Sequence, residues 1–397
     1  MPQWDKTKRN IFITVIILVT LLVGYAFYRY ISSQGTGLSP FAPPQAPVSG
    51  GVGDFPLALE TPVEPYVTPL PEPTAGLEQQ IQQQILLALT DFPVVGPVIN
   101  KNSNRALFYK KDGGAMFSAD FTGTQEKISN ITIVGMTEAL WSPAKDRAGV
   151  FYIDNDTLKS FLHIGTSTVI SLPRDIKSFT WSPDGKQYAY LIQLSDQQDT
   201  LFIVDASGKS SKEVFNTPIL DAQIQWIAPD KISFQTAPSA IAPGYAFIYS
   251  IRAGTFRRFL GPIYGLTTLW SPDANHVLVS SATARSFTMS VYDASGNKLP
   301  PLEFITLPEK CLWLDNKEFY CGVPQQFPGG IMPDDYLRGE VSTQDRILSY
   351  NIDTQTTAQI FTGGAMDMIN LAVTKAKDYL IFVNKTDGIL WRLKLRQ

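Results

Sequence analysis

Apolar and polar residues alternate in short runs through most of the chain, and the runs recur at a regular interval. The clearest copy is TWSPDGKQYAYLI at 180–192: an apolar pair ending in Trp, a turn, then an alternating strand. The equivalent positions along the chain are Ile99, Trp141, Trp181, Trp226, Trp270, Trp313 and Val373. Their spacing is 40–45 residues, except for a last interval of 60. Alternation with period two predicts β-strands, and an interval of this length predicts a repeat architecture.

Each repeat contains two hairpins. Ser182-Pro183-Asp184-Gly185 suits a type I turn, because Pro fixes φ at its second position and Gly suits its fourth. A second hairpin signature follows, LFIVDASGKSSKEVF at 201–215 and SVYDASGNKLPPLEF at 290–304. Each repeat therefore holds four strands, a to d. Seven such units predict an all-β fold, a seven-bladed β-propeller of four-stranded antiparallel blades with the tryptophans packed between blades.

The ends of the repeat region predict how the ring closes. The last repeat ends after a strand at 389–395 and lacks strand d. Alignment of the repeats places Ile85–Thr90 at that missing position, so we predict a ring-closing strand over 84–90. An amphipathic helix over Leu77–Leu89 is the alternative, because Leu77, Ile81, Ile85 and Leu89 would share one face. A short helix to Gln83 followed by the strand would combine the two.

The N-terminal region predicts a membrane anchor. Residues 11–28 carry no charge, and Lys6, Lys8 and Arg9 precede them. The length and the charge bias predict a cytoplasmic tail over 1–10, a transmembrane helix over 11–30, and everything after it outside the cytoplasm. A cleaved signal peptide is the competing interpretation, but the run ends in bulky aromatic residues rather than a small-residue cleavage site.

A proline-rich linker separates the anchor from the propeller, which spans 76–397. The linker covers 31–75, and ten of the 28 prolines fall between Pro40 and Pro73. Because proline removes backbone donors and favours extended chain, we predict a spacer. A ligand for a partner domain is the alternative.

Composition excludes several classes of function. Lys and Arg number 33 against 36 Asp and Glu, a balance unlike that of a nucleic-acid binder. Two cysteines and two histidines exclude a disulfide-dense scaffold, a four-cysteine zinc site and a multi-histidine metal centre. No nucleophile elbow, P-loop or dinucleotide motif occurs. We therefore assign no catalytic residue, metal or cofactor, and leave open whether the protein is an enzyme.

The Trp-Ser-Pro-Asp-Gly signature resembles the WD40-like repeats of TolB-type propellers. It is complete at Trp181–Gly185 and partial at Trp141 and Trp270. The whole layout is similar to that of a group of bacterial propeller proteins with a single membrane anchor. The runs PGYAFIYSI, LGPIYGLTTLWSPD, TLPEKCLW and MPDDYLRGEVST carry that similarity. The resemblance implies the fold and no particular activity.

The 60-residue interval contains an insertion over 324–345, between strands b and c of the sixth blade. All b–c loops and d–a connections lie on one side of a propeller, here called the b–c face; the a–b and c–d turns lie on the other, the a–b face. We predict partner-binding residues on the b–c face: Tyr245, Tyr264, Arg285, Phe327, Asp334, Asp335, Tyr336 and Arg338. Aromatic residues with Arg suit a protein or glycan contact. A plug over the central channel, or a Ca²⁺ site at the adjacent aspartates, are the alternatives.

Cys311 and Cys321 bracket one hairpin, CLWLDNKEFYC. They would face each other across the strand pair, within reach of a disulfide, which an oxidising compartment would permit. Two reduced, buried thiols fit the sequence equally well.

These features together predict a membrane-anchored, extracytoplasmic interaction or scaffold module of the bacterial cell envelope. Its partners would be the membrane and an envelope protein or polymer, bound through the b–c face. The alternative is a hydrolase or lyase acting on envelope glycans or peptides, with Asp334 or Asp335 as acid or base. Self-assembly is a third possibility.

Overall fold

The computed structural model describes residues 85–283 and 286–395, which form seven antiparallel β-units. In chain order the strands are β1 (Leu86–Ile99), β2 (Arg105–Lys110), β3 (Met116–Asp120), β4 (Gln125–Lys127), β5 (Met136–Trp141), β6 (Arg147–Asp154), β7 (Thr157–Ile164), β8 (Thr168–Ser171), β9 (Ile176–Trp181), β10 (Gln187–Ser195), β11 (Gln198–Asp205), β12 (Ser211–Thr217), β13 (Gln223–Ala228), β14 (Lys231–Gln235), β15 (Pro243–Ser250), β16 (Thr255–Tyr264), β17 (Thr268–Trp270), β18 (His276–Ala282), β19 (Phe287–Asp293), β20 (Cys311–Trp313), β21 (Glu318–Pro324), β22 (Asp345–Asn351), β23 (Thr356–Phe361), β24 (Met368–Val373), β25 (Tyr379–Asn384) and β26 (Ile389–Lys394). A 3-10 helix (Pro308–Lys310) precedes β20, and a four-residue helix, α1 (Asp334–Leu337), lies in the insertion.

Strand pairing confirms the predicted all-β, seven-bladed propeller. Blades 2, 3, 4 and 6 are the four-stranded sheets β5–β8, β9–β12, β13–β16 and β20–β23. Blade 5 is β17–β19, and blades 1 and 7 share the long strand β1. Within the described ranges no helix has the length and apolar character needed to cross a bilayer. The predicted anchor over 11–30 and linker over 31–75 lie outside those ranges.

β1 closes the ring by serving two blades. Its first half pairs with β26, with Leu86 opposite Leu393 and Ala88 opposite Trp391, and so supplies strand d of blade 7. Its second half pairs with β2 as strand a of blade 1. Leu86 is opposite the end of strand c, so the chain enters β1 at the a–b face. The segment expected to be either strand or helix is a strand from Leu86 onward.

The a–b turns follow from their sequence. In the complete copy the amide of Gly185 donates to Ser182 O at 2.9 Å, and Gly185 has φ +69°, which favours glycine. The Ser182 hydroxyl accepts from the Gln187 amide at 3.0 Å and lies 2.8 Å from Asp184 Oδ1. Each turn therefore closes its hairpin with its own polar groups.

The repeated tryptophans join one blade to the next, as predicted. The indole N–H of Trp181 donates to Leu140 O at 2.8 Å, and that of Trp313 donates to Leu269 O at 3.2 Å. In each case the acceptor lies on strand a of the preceding blade. The indole adds a directional contact to its apolar burial, which explains its place at the end of strand a.

Blade 5 departs from the predicted four strands because its outer strand stops after one step. An isolated bridge joins Tyr292 to Lys298, and the Leu299 amide donates to Val291 O at 2.8 Å. Pro300 and Pro301 come next, and proline has no N–H to continue a ladder. The chain then packs against blade 6.

Cys311 and Cys321 stand directly opposite each other on β20 and β21. They form a disulfide with 4.0 Å between the Cα atoms. The sequence fitted a disulfide and two reduced thiols equally well, and the structure contains the disulfide.

Candidate functional site

The insertion folds back over the b–c face and touches several blades. Asp334 accepts from the Ala240 amide at 2.7 Å and from the Ser239 hydroxyl at 3.3 Å, both in the b–c loop of blade 4. The ring of Phe327 stacks on Phe287 of blade 5, with centroids 5.5 Å apart. Residues of one loop therefore bind blades that are remote from it in sequence.

Beneath the insertion lies a small apolar cluster. Met332 and Tyr336 of the insertion pack with Ala282 and Phe287 of blade 5 and with Leu307, which precedes blade 6. Tyr336 keeps only 2% of its surface exposed, so its side chain anchors the insertion and is not available to a partner while the insertion is in place.

The deepest contact is a buried ionic network around Lys310. Its ammonium lies 2.7 Å from Asp345 Oδ2 and 2.5 Å from Asp367 Oδ1, and it donates to the Thr343 hydroxyl at 2.6 Å. The Tyr336 hydroxyl donates to Asp367 Oδ1 at 2.7 Å. Lys310 is 1% exposed and both carboxylates are fully buried, so these charges are neutralised by one another rather than by water.

One buried ammonium lies between two buried carboxylates. Burial raises the pKa of Asp345 and outweighs the lowering effect of Lys310. Its Oδ1 has no hydrogen-bond partner among the described residues. Burial likewise raises the pKa of nearby Glu309, whose Oε2 accepts from the Thr267 hydroxyl at 3.2 Å. Burial, followed by the proximity of Asp367, raises the pKa of the Tyr336 hydroxyl far above its ordinary value.

Lys385 connects the insertion to the central channel. Its ammonium lies 3.3 Å from the centre of the Tyr336 ring and also donates to Tyr336 O. The same lysine lines a cavity of about 520 Å³ between strands a of blades 7, 1 and 2. A cavity of about 560 Å³ continues from it along the channel, with Gly96 and Asn370 lining both. The insertion therefore borders the channel, as the plug alternative requires.

The remaining predicted site residues are dispersed. Asp335 accepts from the Ile331 amide at 2.6 Å and pairs with Arg338, which also bonds Glu340 at 2.8 Å. Tyr245 is half-buried beside Phe247 in blade 4, with ring centroids 6.3 Å apart. Tyr264 is largely exposed at the end of β16. Arg285 lies outside the described residues. The structure thus brings together the predicted residues of the insertion, whereas Tyr245 and Tyr264 belong to strands of blade 4.

Sequence reasoning missed the residues that hold the insertion: Lys310, Thr343, Asp345 and Asp367. A signal was present, because Lys310 and Asp367 each directly precede a strand a and Asp345 begins a strand c. Strands a and c both begin at the b–c face, so charged residues at their starts in one blade and the next lie on the same face.

The sequence also gave no sign of where apolar surface remains exposed. Ten large apolar side chains of the described residues are well exposed, and nine lie on b–c loops, d–a connections or the strand ends that lead into them: Val134, Ile153, Leu194, Leu220, Ile241, Tyr264, Ile305, Ile331 and Leu337. The tenth, Val169, lies on the outer strand of blade 2. We call the set of nine the apolar crescent, since it follows blades 2 to 6.

A groove lies inside this crescent. It has a volume of about 390 Å³ between the b–c loop of blade 4, the start of β19 and the insertion. Phe287, Phe327, Ile331 and Met332 line it, and Ile241, 79% exposed, stands at its rim. No charged side chain of the described residues lines it.

Solved structures with the same architecture share little sequence with this chain. An oligogalacturonate lyase in complex with manganese has a TM-score of 0.54 at 11% identity, covering 79% of this chain and 93% of the other. The C-terminal WD40 domain of Sif2 has a TM-score of 0.50 at 12% identity, covering 79% and 99%. The fold is that of a WD40-like β-propeller. The propeller domain of the trilobed protease from Pyrococcus furiosus has a TM-score of 0.52 at 12% identity, covering 77% and 96%.

At this level of identity the likeness of this chain to these proteins concerns fold alone, because propellers host many functions. No protein-family model matches the sequence, and a search of curated proteins gave no match. Function must therefore be argued from the site.

Proposed function

We propose that this protein is a membrane-anchored, extracytoplasmic propeller that acts as a protein-interaction module of the cell envelope and binds its partner through the b–c face. The observation that carries the proposal is the apolar crescent: among the described residues, nine of the ten exposed large apolar side chains fall on one face. Within the crescent, Ile241 and Ile331 line the same groove, and adjoining exposed apolar residues are typical of interaction sites, whereas scattered single residues are not.

Two features support the proposed location. The uncharged run at 11–28 with its preceding basic residues is typical of an anchor with a cytoplasmic N-terminus. The Cys311–Cys321 disulfide fits an oxidising compartment outside the cytoplasm.

The geometry favours binding over catalysis at the insertion. An envelope hydrolase or lyase would need Asp334 or Asp335 free to act on substrate. Asp334 instead holds the insertion to blade 4, and Asp335 holds the turn that precedes α1 and pairs with Arg338. Similarity of fold to an oligogalacturonate lyase at 11% identity adds no catalytic group to this site.

The test is quantitative affinity capture of the tagged full-length chain from native membranes. The variant Ile241→Ser/Ile331→Ser makes two exposed positions of the crescent polar without touching the core. Val169→Ser, an equally conservative change on the outer strand of blade 2, is the control. We expect a partner that the wild type and the control capture and the double variant loses at least ten-fold. Equal capture by all three would contradict the proposal.

A further inference from the structure

The central channel opens on the a–b face through the cavity of about 560 Å³ described above. A volume of this size is typical of small-molecule sites. Strands a of blades 6, 7, 1 and 2 form its wall, which includes the apolar residues Pro97, Val98, Trp141 and Leu312. The charged residues that line it are Lys145, Lys375 and Lys377. Among the described residues no carboxylate lines this cavity, so its lining combines apolar surface with positive charge.

Lys145 has an ammonium group without a counter-charge. Within 85–283 and 286–395 it has no hydrogen-bond or ion-pair partner, although the residue is half-buried. Burial lowers the pKa of this ammonium, because it disfavours the charged form and no neighbouring acid offsets the effect. The adjacent carboxylate of Asp146 pairs instead with Arg147 at 2.8 Å and accepts from the Ser142 hydroxyl at 2.8 Å. An anion in the cavity would supply the missing counter-charge.

The position of Lys145 in its turn is one that favours glycine. In the complete copy of the repeat this residue is Gly185, with φ +69°, whereas Lys145 has φ +58°. Both donate their amide to the carbonyl of the serine that begins the turn, at 2.9 Å. Five a–b turns of the described residues share this geometry, with Ser103, Lys145, Gly185, Ala274 and Lys377 at the left-handed position. The two lysines are the ones that line the cavity, and the turn itself gives no reason for a lysine there.

Asn370 brings a second free polar group to the same cavity. It lies in a β-bulge of strand a in blade 7, where pairing skips from Ile369 to Ala372. Blade 1 has the equivalent bulge, with Gly96 at φ +56° where Asn370 has φ +53°. The Asn370 side chain has no hydrogen-bond partner in the part of the chain that the structure describes, and the residue is exposed in the channel. Bulges are common beside binding sites because they redirect side chains, and here an amide stands where blade 1 has glycine.

We propose that the a–b mouth of the channel binds a small amphipathic anion, with an apolar body and one carboxylate or phosphate group. Lys145 pairs with the anionic group, the Asn370 amide donates to it, and the apolar wall covers the body. Lys375 already bonds to a backbone carbonyl at 3.1 Å and Lys377 to Glu318 at 2.9 Å, so Lys145 supplies the principal charge. The site lies on the face opposite the apolar crescent, so it goes beyond the proposed function and does not depend on it.

The test is saturation-transfer NMR of ligands with the full-length chain in lipid nanodiscs. The probes are phenylbutyrate and phenylbutyl phosphate at millimolar concentration, and the neutral phenylbutanamide is the control for the apolar body. Empty nanodiscs measure what the lipid itself takes up. We expect saturable binding of at least one of the two anions, and binding of the neutral amide that is at least about ten-fold weaker. The tighter of the two anions then identifies the anionic group that the site prefers.

Two variants test the assigned residues without disturbing the fold. Lys145→Gly gives blade 2 the residue of the complete copy, so the turn is kept while the ammonium is lost. We expect the preferred anion to bind at least about ten-fold more weakly and the free energy of unfolding not to fall. Asn370→Gly gives blade 7 the residue of blade 1 and should weaken binding about three-fold. Lys186→Gln, at an exposed lysine in the a–b turn of blade 3, is the matched control and should leave binding unchanged.

Three results would overturn the proposal. The first is the absence of saturable binding by either anion. The second is equally tight binding of the anions and the neutral amide, which would make the cavity an apolar pocket without charge preference. The third is binding to Lys145→Gly as tight as to the wild type. The capture experiment on the crescent variant reports on the other face, so each proposal can fail while the other stands.

Discussion

On the a–b face many hairpins are closed by Ser, Asp or Asn side chains of their own turns, whereas the b–c face is held together by a remote insertion and a buried ionic network. Asp184, Asp205 and Asp293 accept hydrogen bonds from amides within their own turns. Lys310 instead joins β22 to the start of β24. In these turns the backbone amides are hydrogen-bonded by side chains of the same turn, so no contact from another part of the chain is needed to hold them.

The distribution of apolar surface follows the same division. The a–b turns carry none of the exposed large apolar side chains of the described residues, and the b–c face carries nine. Folding explains the polar turns, because each supports its hairpin locally. It does not explain Val134 at 77% exposure or Ile241 at 79%. The b–c face therefore keeps exposed apolar surface that contributes nothing to folding stability.

The largest effect is expected where the b–c face is held by charge. Lys310→Met leaves the buried carboxylates of Asp345 and Asp367 unpaired, so the free energy of unfolding should fall by about 3–5 kcal/mol. Chemical denaturation measures it. Lys317→Met, in the a–b turn of the same blade, is the matched control and should have no measurable effect, because its pair with Asp353 is exposed. If both variants had equal stability, the network would not hold the face.

The disulfide should rank second. Cys311→Ala/Cys321→Ala removes a link that closes the β20–β21 hairpin, and the chain-entropy model gives a loss of about 2.8 kcal/mol. Thermal unfolding with and without reductant checks this, because reductant should destabilise the wild type and leave the variant unchanged. Equal sensitivity of the two proteins to reductant would contradict the bond.

A single turn of the a–b face should contribute less. Ser182→Ala removes the hydroxyl that accepts from the Gln187 amide, and the loss should be about 1 kcal/mol. Ser207→Ala, in a c–d turn of the same face, tests whether the turns act alike. A loss above that of the disulfide would mean that the a–b face is not locally closed.

The smallest effects are opposite pH dependences on the two faces. The side-chain hydrogen bond from Thr122 lowers the pKa of Asp120, in a c–d turn, to about 2. Its contribution to stability is therefore complete above the ordinary aspartate pKa of 3.8 and is lost as the pH falls toward 2. Burial raises the pKa of Asp345, so the folded state holds that proton more tightly than the unfolded state does. Its contribution is complete below 3.8 and is lost as the pH rises through the raised pKa.

Carboxyl ¹³C titration of the folded protein checks both directions, with Asp120→Asn and Asp345→Asn assigning the two signals. The comparison between faces fails if Asp345 titrates below Asp120.

Local patterns were enough to predict the blades. Ser-Pro-Asp-Gly turns and Trp at the end of strand a act within one repeat or between neighbours, so a single sequence displays them. Blade 5 could also have been predicted to lack its outer strand, because Pro300 and Pro301 stand where strand d would run. The prediction of four strands in every blade followed the repeat and did not consider these two prolines.

The interior of the b–c face could not be predicted in the same way. Glu309-Lys310 looks like an ordinary solvated pair, and Tyr336 looks like a surface aromatic beside two acids. Their burial arises only when a loop from blade 6 folds back over blades 4, 5 and 7, which no local pattern specifies. The sequence pattern correctly identified the insertion as a departure from the repeat. It did not identify Lys310 and Asp367, the buried residues that the insertion contacts.

Ring closure by β1 also has a mechanical consequence. A pull exerted on the chain before Leu86, against a partner on the b–c face, would run along the axis of β1. The hydrogen bonds between β1 and β26 lie across that axis, so they would share the load instead of breaking one at a time. The strand that completes the seventh blade would then also be the element through which the propeller resists tension.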